Sequence, residues 1–99
     1  MATPESKVKA AVKKLLETSN TYFFFPSANG YGHAGIPDII ACCHGRMLGI
    51  ECKANGGKTT ALQERELQKI RDAGGIALVI REDNMDELKD ELQRIIDAQ

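Results

Sequence analysis

Apolar residues near the start of the chain recur at helical spacing: Val8, Ala11, Val12, Leu15 and Leu16. Positions three and four apart share a helix face, so these residues form one stripe. Thr3-Pro4-Glu5 supplies the start, with a capping hydroxyl, a proline at the first helical position and an acid in the first turn. The pattern predicts an amphipathic helix over 4–18. Thr21-Tyr22-Phe23-Phe24-Phe25 is rich in strand formers and stops at Pro26, which predicts a first strand. Residues 27–36 hold three glycines and read as a loop. Two apolar runs follow, at 38–43 and 47–53, with the polar turn His44-Gly45-Arg46 between them, the pattern of a hairpin.

Ala54-Asn55-Gly56-Gly57-Lys58 reads as a flexible connection. Thr59 or Thr60 then caps a helix over about 61–73 that ends at Gly74-Gly75. Ile76-Ala77-Leu78-Val79-Ile80 is apolar without alternation, as in a strand covered on both faces. Asn84 and Glu87 have the spacing of a cap, and Met85, Leu88, Leu92, Ile95 and Ile96 form the inner stripe of a last helix. The predicted order is αβββαβα, in the α/β class. The strand–helix–strand step near the end implies a parallel crossover, so the sheet should be mixed, roughly four-stranded and flanked by helices.

Ninety-nine residues are expected to form a single domain, 1–99, with one modest core. No apolar run approaches the ~20 residues that span a bilayer, and the start lacks the apolar stretch of a secretory signal. Cys42, Cys43 and Cys52 all fall in predicted strands and contain no Cys-x-x-Cys pair. They read as reduced core residues of a cytoplasmic protein. The formal charge is −1, which argues against non-specific coating of nucleic acid. Its distribution is uneven: residues 82–99 carry seven acids and two bases, while residues 1–81 carry seven acids and eleven bases. The first 81 residues therefore suit an anionic substrate, and the acidic tail should face elsewhere.

The candidate chemistry lies in residues 35–54. Pro37-Asp38 opens the first arm of the hairpin and Glu51-Cys52-Lys53 closes the second. Side chains alternate along a strand, so Glu51 and Lys53 share one face, opposite Leu48, Ile50 and Cys52. With Asp38 on the same side, two carboxylates and an ammonium converge. Two hard oxygen ligands suit Mg²⁺, which takes one or two carboxylates and fills the rest of its shell with waters and substrate phosphates. A bland alternative is a salt bridge of Lys53 with Glu51 or Asp38. The acid–x–lysine triplet alone is weak, whereas Pro-Asp followed by Glu-x-Lys at the end of the next strand is far more specific.

Other residues carry two readings each. Glu5 is explained by the helix dipole alone. Lys7, Lys9, Lys13 and Lys14 read chiefly as a solvated face. Thr60 and Gln63 have capping-box spacing, and Gln63 could instead touch a phosphate or the attacking water. Tyr31 and His33, in the loop leading to Asp38, could border a substrate groove or lie on a free surface. Lys58 follows the carboxylates and could meet phosphate. A zinc site of Cys42, Cys43, His44 and Cys52 has poor geometry, because adjacent strand residues point to opposite faces.

Gly35-Ile36-Pro37-Asp38, Glu51-Cys52-Lys53 and the helix start Thr60 to Gln63 resemble the PD-(D/E)xK nuclease superfamily, and within it the stand-alone VRR-NUC (virus-type replication-repair nuclease) domain. Nearly the whole chain takes part, although only part of the name-giving signature is present, at Val79-Ile80-Arg81. The resemblance implies a restriction-endonuclease-like core and Mg²⁺- or Mn²⁺-dependent hydrolysis of DNA phosphodiesters. It implies that Asp38, Glu51 and the backbone carbonyl of Cys52 hold the metal, with Glu5 contacting it directly or through water. Lys53 would orient the water and balance charge, and Gln63 would be accessory. It also implies a homodimer that acts on branched or four-way junction DNA in replication, recombination or repair, inside a bacterial or virus-infected cell. Tyr22 to Phe25 would be one candidate dimer surface. The competing class is a non-catalytic nucleic-acid-binding module on the same fold.

Overall fold

A computed structural model of the chain describes residues 3–27 and 33–99. The order is α1 (Pro4–Thr18), β1 (Tyr22–Phe24), β2 (Ile39–Cys43), β3 (Arg46–Cys52), α2 (Ala61–Asp72), β4 (Ile76–Ile80), a 3₁₀ turn (Glu82–Asn84) and α3 (Met85–Asp97). The four strands form one mixed sheet in sequence order. β1 pairs antiparallel with β2, and β2 antiparallel with β3; β3 then pairs parallel with β4, with α2 as the crossover. The expected αβββαβα order and mixed four-stranded sheet are what the structure shows.

Local chemistry sets the element ends. The Thr3 hydroxyl accepts from the Ser6 N–H at the start of α1. At α2, Thr60 and Gln63 form the full reciprocal capping box. His44 and Gly45 both have positive φ, at 47° and 83°, the backbone that a two-residue turn needs to match strand twist. The cap on α3 differs from expectation. Asn84 makes no side-chain bond to the backbone of that helix, although its amide does donate to the Glu87 carboxylate there. The same amide donates to the Val79 carbonyl and accepts from the Arg81 N–H, closing the 3₁₀ turn that links β4 to α3.

Alternation divides the side chains between two cores. Ile39, Ala41 and Cys43 on β2, Leu48, Ile50 and Cys52 on β3, and Ile80 on β4 face α1 and α3. Val8, Val12 and Leu16 of α1 and Leu88, Leu92 and Ile95 of α3 complete that core. The opposite face of β3 and β4 meets α2 through Leu67, Ile70, Ala77 and Val79. Gly49 permits this contact: a Cβ there would collide with Ile70 Cδ1 and stand 3.2 Å from Pro37 Cγ.

α2 leaves β1 and β2 uncovered on its side of the sheet. The register sets Tyr22 beside Cys42 and Phe24 beside Ile40. Tyr22 is 74% exposed, Phe24 47% and Met47 40%. Cys42 is exposed as well, so the reading of all three cysteines as core residues holds only for Cys43 and Cys52. Adjacent strand positions face opposite ways, and only one of those faces is covered here.

Candidate active site

The end of the β2–β3 hairpin brings Asp38 and Glu51 together. Gly35 sets the approach. Its φ is +89°, and a Cβ would lie 2.5 Å from the Leu62 carbonyl oxygen and 3.1 Å from the Gln63 nitrogen. The chain passes directly against the first turn of α2 before Pro37 delivers Asp38 to the head of β2. Asp38 Oδ2 accepts from the Cys52 N–H at 2.8 Å, which clamps the carboxylate to the end of β3. Asp38 Oδ1 lies 3.5 Å from Lys9 Nζ on α1.

Glu51 is 2% exposed, and its Oε2 has no hydrogen-bond partner among the described residues. Burial, then a hydrogen bond with Asp38, then the Asp38 charge push its pKa from 4.5 up to about 9; Lys53 works the other way and Glu5 adds to the rise. Asp38 moves oppositely. Burial would raise it, but the Glu51 hydrogen bond, the Cys52 N–H and Lys9 together hold it below the usual carboxylate range. The pair therefore holds one proton between two carboxyls at neutral pH. Burial, with the Asp38 and Glu51 charges, pushes the Cys52 thiol up to about 12, so it remains a core thiol.

Buried oxygens are normally satisfied, and a buried carboxyl with an unpartnered oxygen next to a second carboxylate fits a divalent cation. Among the described residues no three His, Cys, Asp or Glu side chains come close enough together to hold a metal. The protein side of the fit is thus two carboxylates, with the Cys52 backbone at the same strand end. Such a set leaves room for waters and phosphate oxygens, as Mg²⁺ prefers. Glu5, in the first turn of α1, is half-buried and acts on Glu51 by its charge. Lys53 is half-buried at the end of β3, where its N–H donates to the Ile80 carbonyl.

Gln63 has its side-chain oxygen on the Thr60 N–H at 2.9 Å, within the capping box. Lys58 is exposed after Gly57, and the Gly57 carbonyl accepts from the Arg81 guanidinium at 3.1 and 2.7 Å. That bond ties the segment following Lys53 to the end of β4. Tyr31 lies outside the described residues. His33 Nε2 is 2.5 Å from Glu66 Oε1 on α2. The His33 hydrogen bond, against the effect of burial and with help from Lys69, holds the Glu66 carboxyl below its usual range.

Lys9 and Glu66 were not singled out from the sequence. Lys9 carried a signal: it stands one helical turn after Glu5, on the same face. Glu66 carried none beyond falling among the apolar positions of α2.

A four-stranded mixed sheet with Pro-Asp at the head of one strand and Glu-x-Lys at the end of the next defines a nuclease of the PD-(D/E)xK class. Within that class the chain belongs to the archaeal Holliday junction resolvase (Hjc) family, whose family model matches residues 9–87. The match includes Asp38, Glu51 and Lys53 and begins after Glu5. A solved structure described as a VRR_NUC domain has the same fold, with a TM-score of 0.68 and 21% identity over 97% of each chain. No curated protein matches the chain by sequence.

Proposed function

We propose that the 99 residues act as one metal-dependent DNA endonuclease domain that cuts branched DNA, including four-way junctions, and works as a homodimer. The observation that carries the chemistry is the buried Glu51 carboxyl, with an oxygen lacking a partner, against the Asp38 carboxylate. With both carboxyls ionised such a pair is unfavourable unless a cation takes the place of the shared proton. Asp38 and Glu51 would hold Mg²⁺ or Mn²⁺, with the Cys52 carbonyl as a further ligand and Glu5 acting through water. The ion would supply a water of lowered pKa and a Lewis acid at the phosphoryl oxygen. Lys53 orients the attacking water and places positive charge where the phosphate gains negative charge. Lys9 draws the phosphate towards Asp38. Gln63 fixes the start of α2 beside Gly35, and Lys58 and His33 meet the flanking backbone.

Branched DNA follows from the family name and from size, since specific protein–DNA interfaces usually bury ~1,000 to 2,500 Å² of protein. A two-fold dimer doubles the contact surface and matches the symmetry of a four-way junction. The uncovered face of β1 and β2, with Tyr22 and Phe24, supports the dimer, as an apolar sheet face is favourably buried against its own copy. No helix among the described residues is long and apolar enough to cross a membrane. We place the protein in the cytoplasm, where its DNA substrate is found.

The test is a cleavage panel of four-way junctions, forks, flaps, duplex and single strands with Mg²⁺ or Mn²⁺, each strand labelled in turn. Light scattering gives the mass. Paired cuts across a junction by a dimer are expected. Binding to every substrate with no metal-dependent cleavage would favour the non-catalytic binding module, and a monomer cutting duplex and junction alike would overturn the dimer reading.

A further inference from the structure

A pocket of about 370 Å³ opens directly beside Asp38, between Lys9 and the ends of β1 and the 33–38 segment. Small-molecule sites span ~300 to 1,000 Å³, so the space fits one nucleotide and is far too small for a duplex. Phe25 and Pro26, just past the end of β1, line the pocket together with Asp38. His33 lies on its border.

The wall chemistry is that of a nucleotide. Phe25 is 45% exposed, although a large aromatic ring gains by burial. The ring is held in place: Phe23 packs edge-to-face against it, with centroids 6.2 Å apart and planes at 83°, and Phe23 itself packs on the main core. His33 is held by Glu66 from α2. Lys9 presents an ammonium at the Asp38 end. A rigid aromatic for a base, a cation for its phosphate and an opening onto the reacting carboxylate share one small cavity.

We propose that this pocket binds a single unpaired nucleotide next to the cut phosphodiester, with its base on Phe25 and its phosphate held by Lys9. This rests on the nuclease reading and adds to it the feature the enzyme recognises. A paired base presents only its edges in the grooves, and its faces are covered by stacking. Only a nucleotide out of the stack, as in the single-stranded arm of a fork or flap or one freed when the centre of a junction opens, can place its base in the cavity. Selectivity for branched DNA then arises beside the metal carboxylates rather than from the sequence of the arms. Base–aromatic stacking tolerates any base, consistent with a protein that has little surface for sequence readout.

The experiment places 2-aminopurine at each position in turn around the branch point of a forked DNA and reads its fluorescence with protein in EDTA. Wild type should change the signal at one position or two adjacent ones. Phe25→Ala should abolish that change and weaken fork binding about 5- to 150-fold, while Phe25→Tyr retains both. Binding to fully paired duplex should be the same for all three proteins. Thermal melting confirms that both variants fold. If no position shows a change that depends on Phe25, or if Phe25→Ala weakens duplex and fork binding equally, the pocket is not a nucleotide site. The outcome is separable from the nuclease reading. Wild type that shows the Phe25-dependent signal but never cuts with Mg²⁺ or Mn²⁺ defeats the nuclease reading alone, and cutting without the signal defeats the pocket alone.

Discussion

Replacing Glu51 by glutamine should stabilise the metal-free protein at alkaline pH and leave it little changed near the bottom of the carboxylate range. The carboxyl is buried, and its pKa rises from 4.5 to about 9 through burial and Asp38. The folded protein therefore retains a proton that the unfolded chain releases. When the folded state binds more protons, stability falls as pH rises. The penalty is absent below the unfolded value of 4.5, grows as pH climbs, and reaches its full size above about 9. Each pKa unit corresponds to about 1.4 kcal/mol, so the penalty would be ~5 kcal/mol at pH 8 and ~6 kcal/mol once pH passes the folded value. Relaxation and water entry at a buried site reduce this to roughly 2 to 5 kcal/mol. Glutamine keeps the shape and removes the titration. Urea denaturation in EDTA at steps of pH should show wild type losing stability between pH 5 and 9 and Glu51→Gln following a distinctly flatter curve. Adding Mn²⁺ at pH 8 should then stabilise wild type and not the variant, because an ion bound only by the folded state adds its binding free energy. Parallel pH profiles for the two proteins in EDTA would refute the buried-proton account of this site.

Lys53→Ala should lower the cleavage rate about 10²- to 10³-fold, the scale of one lost charge-stabilising donor, yet leave Mn²⁺ binding by calorimetry intact. Loss of ion binding together with rate would mean the site had collapsed. Gly35→Ala should cost about 1 to 3 kcal/mol in denaturant stability, because alanine is strained at φ +89° and its Cβ meets the Leu62 carbonyl. An unchanged midpoint would show that the 33–38 segment yields easily. DNA affinity should fall steeply with salt despite the formal charge of −1, with a log–log slope of about −2 to −4 if a few phosphates are neutralised. A slope near zero would count against phosphate contacts by Lys9, Lys53 and Lys58.

Much of this arrangement can be read along the chain because it is local. Thr3 and Thr60 bond within one helical turn, His44-Gly45 closes a two-residue turn, and alternation alone puts Glu51 opposite Ile50. Pro37-Asp38 and Glu51-Cys52-Lys53 meet because a hairpin joins their strands. What the sequence concealed depends on packing at a distance. Periodicity puts Lys9 on the Glu5 side of α1 but does not fix the rotation of that helix over the sheet, which is what brings its ammonium to Asp38. Nor does alternation reveal which faces stay bare. Cys42 has the same local pattern as Cys43, yet α2 covers only β3 and β4. Glu66 looks like any helical acid until the 33–38 segment lays His33 against it. Asn84 has the spacing of a cap and does reach the Glu87 side chain, but its amide also donates to the Val79 carbonyl of β4 instead of accepting from the α3 backbone.

The two oxygens of Asp38 have separate employments. Oδ2 ends the β2–β3 hairpin on the Cys52 N–H, while Oδ1 faces Lys9, and the carboxyl also shares a hydrogen bond with Glu51. One side chain is thus both a rivet of the sheet and a tool of the site, and alanine removes both at once. Asparagine separates them. Its carbonyl oxygen can take the Cys52 N–H and keep the hairpin riveted, leaving an amide nitrogen to face Lys9, where neither an ammonium nor a metal ion finds an acceptor. Asp38→Asn should therefore retain more of the fold than Asp38→Ala in denaturation while cutting DNA no better. The gap between the two melting curves measures how much of this residue belongs to architecture.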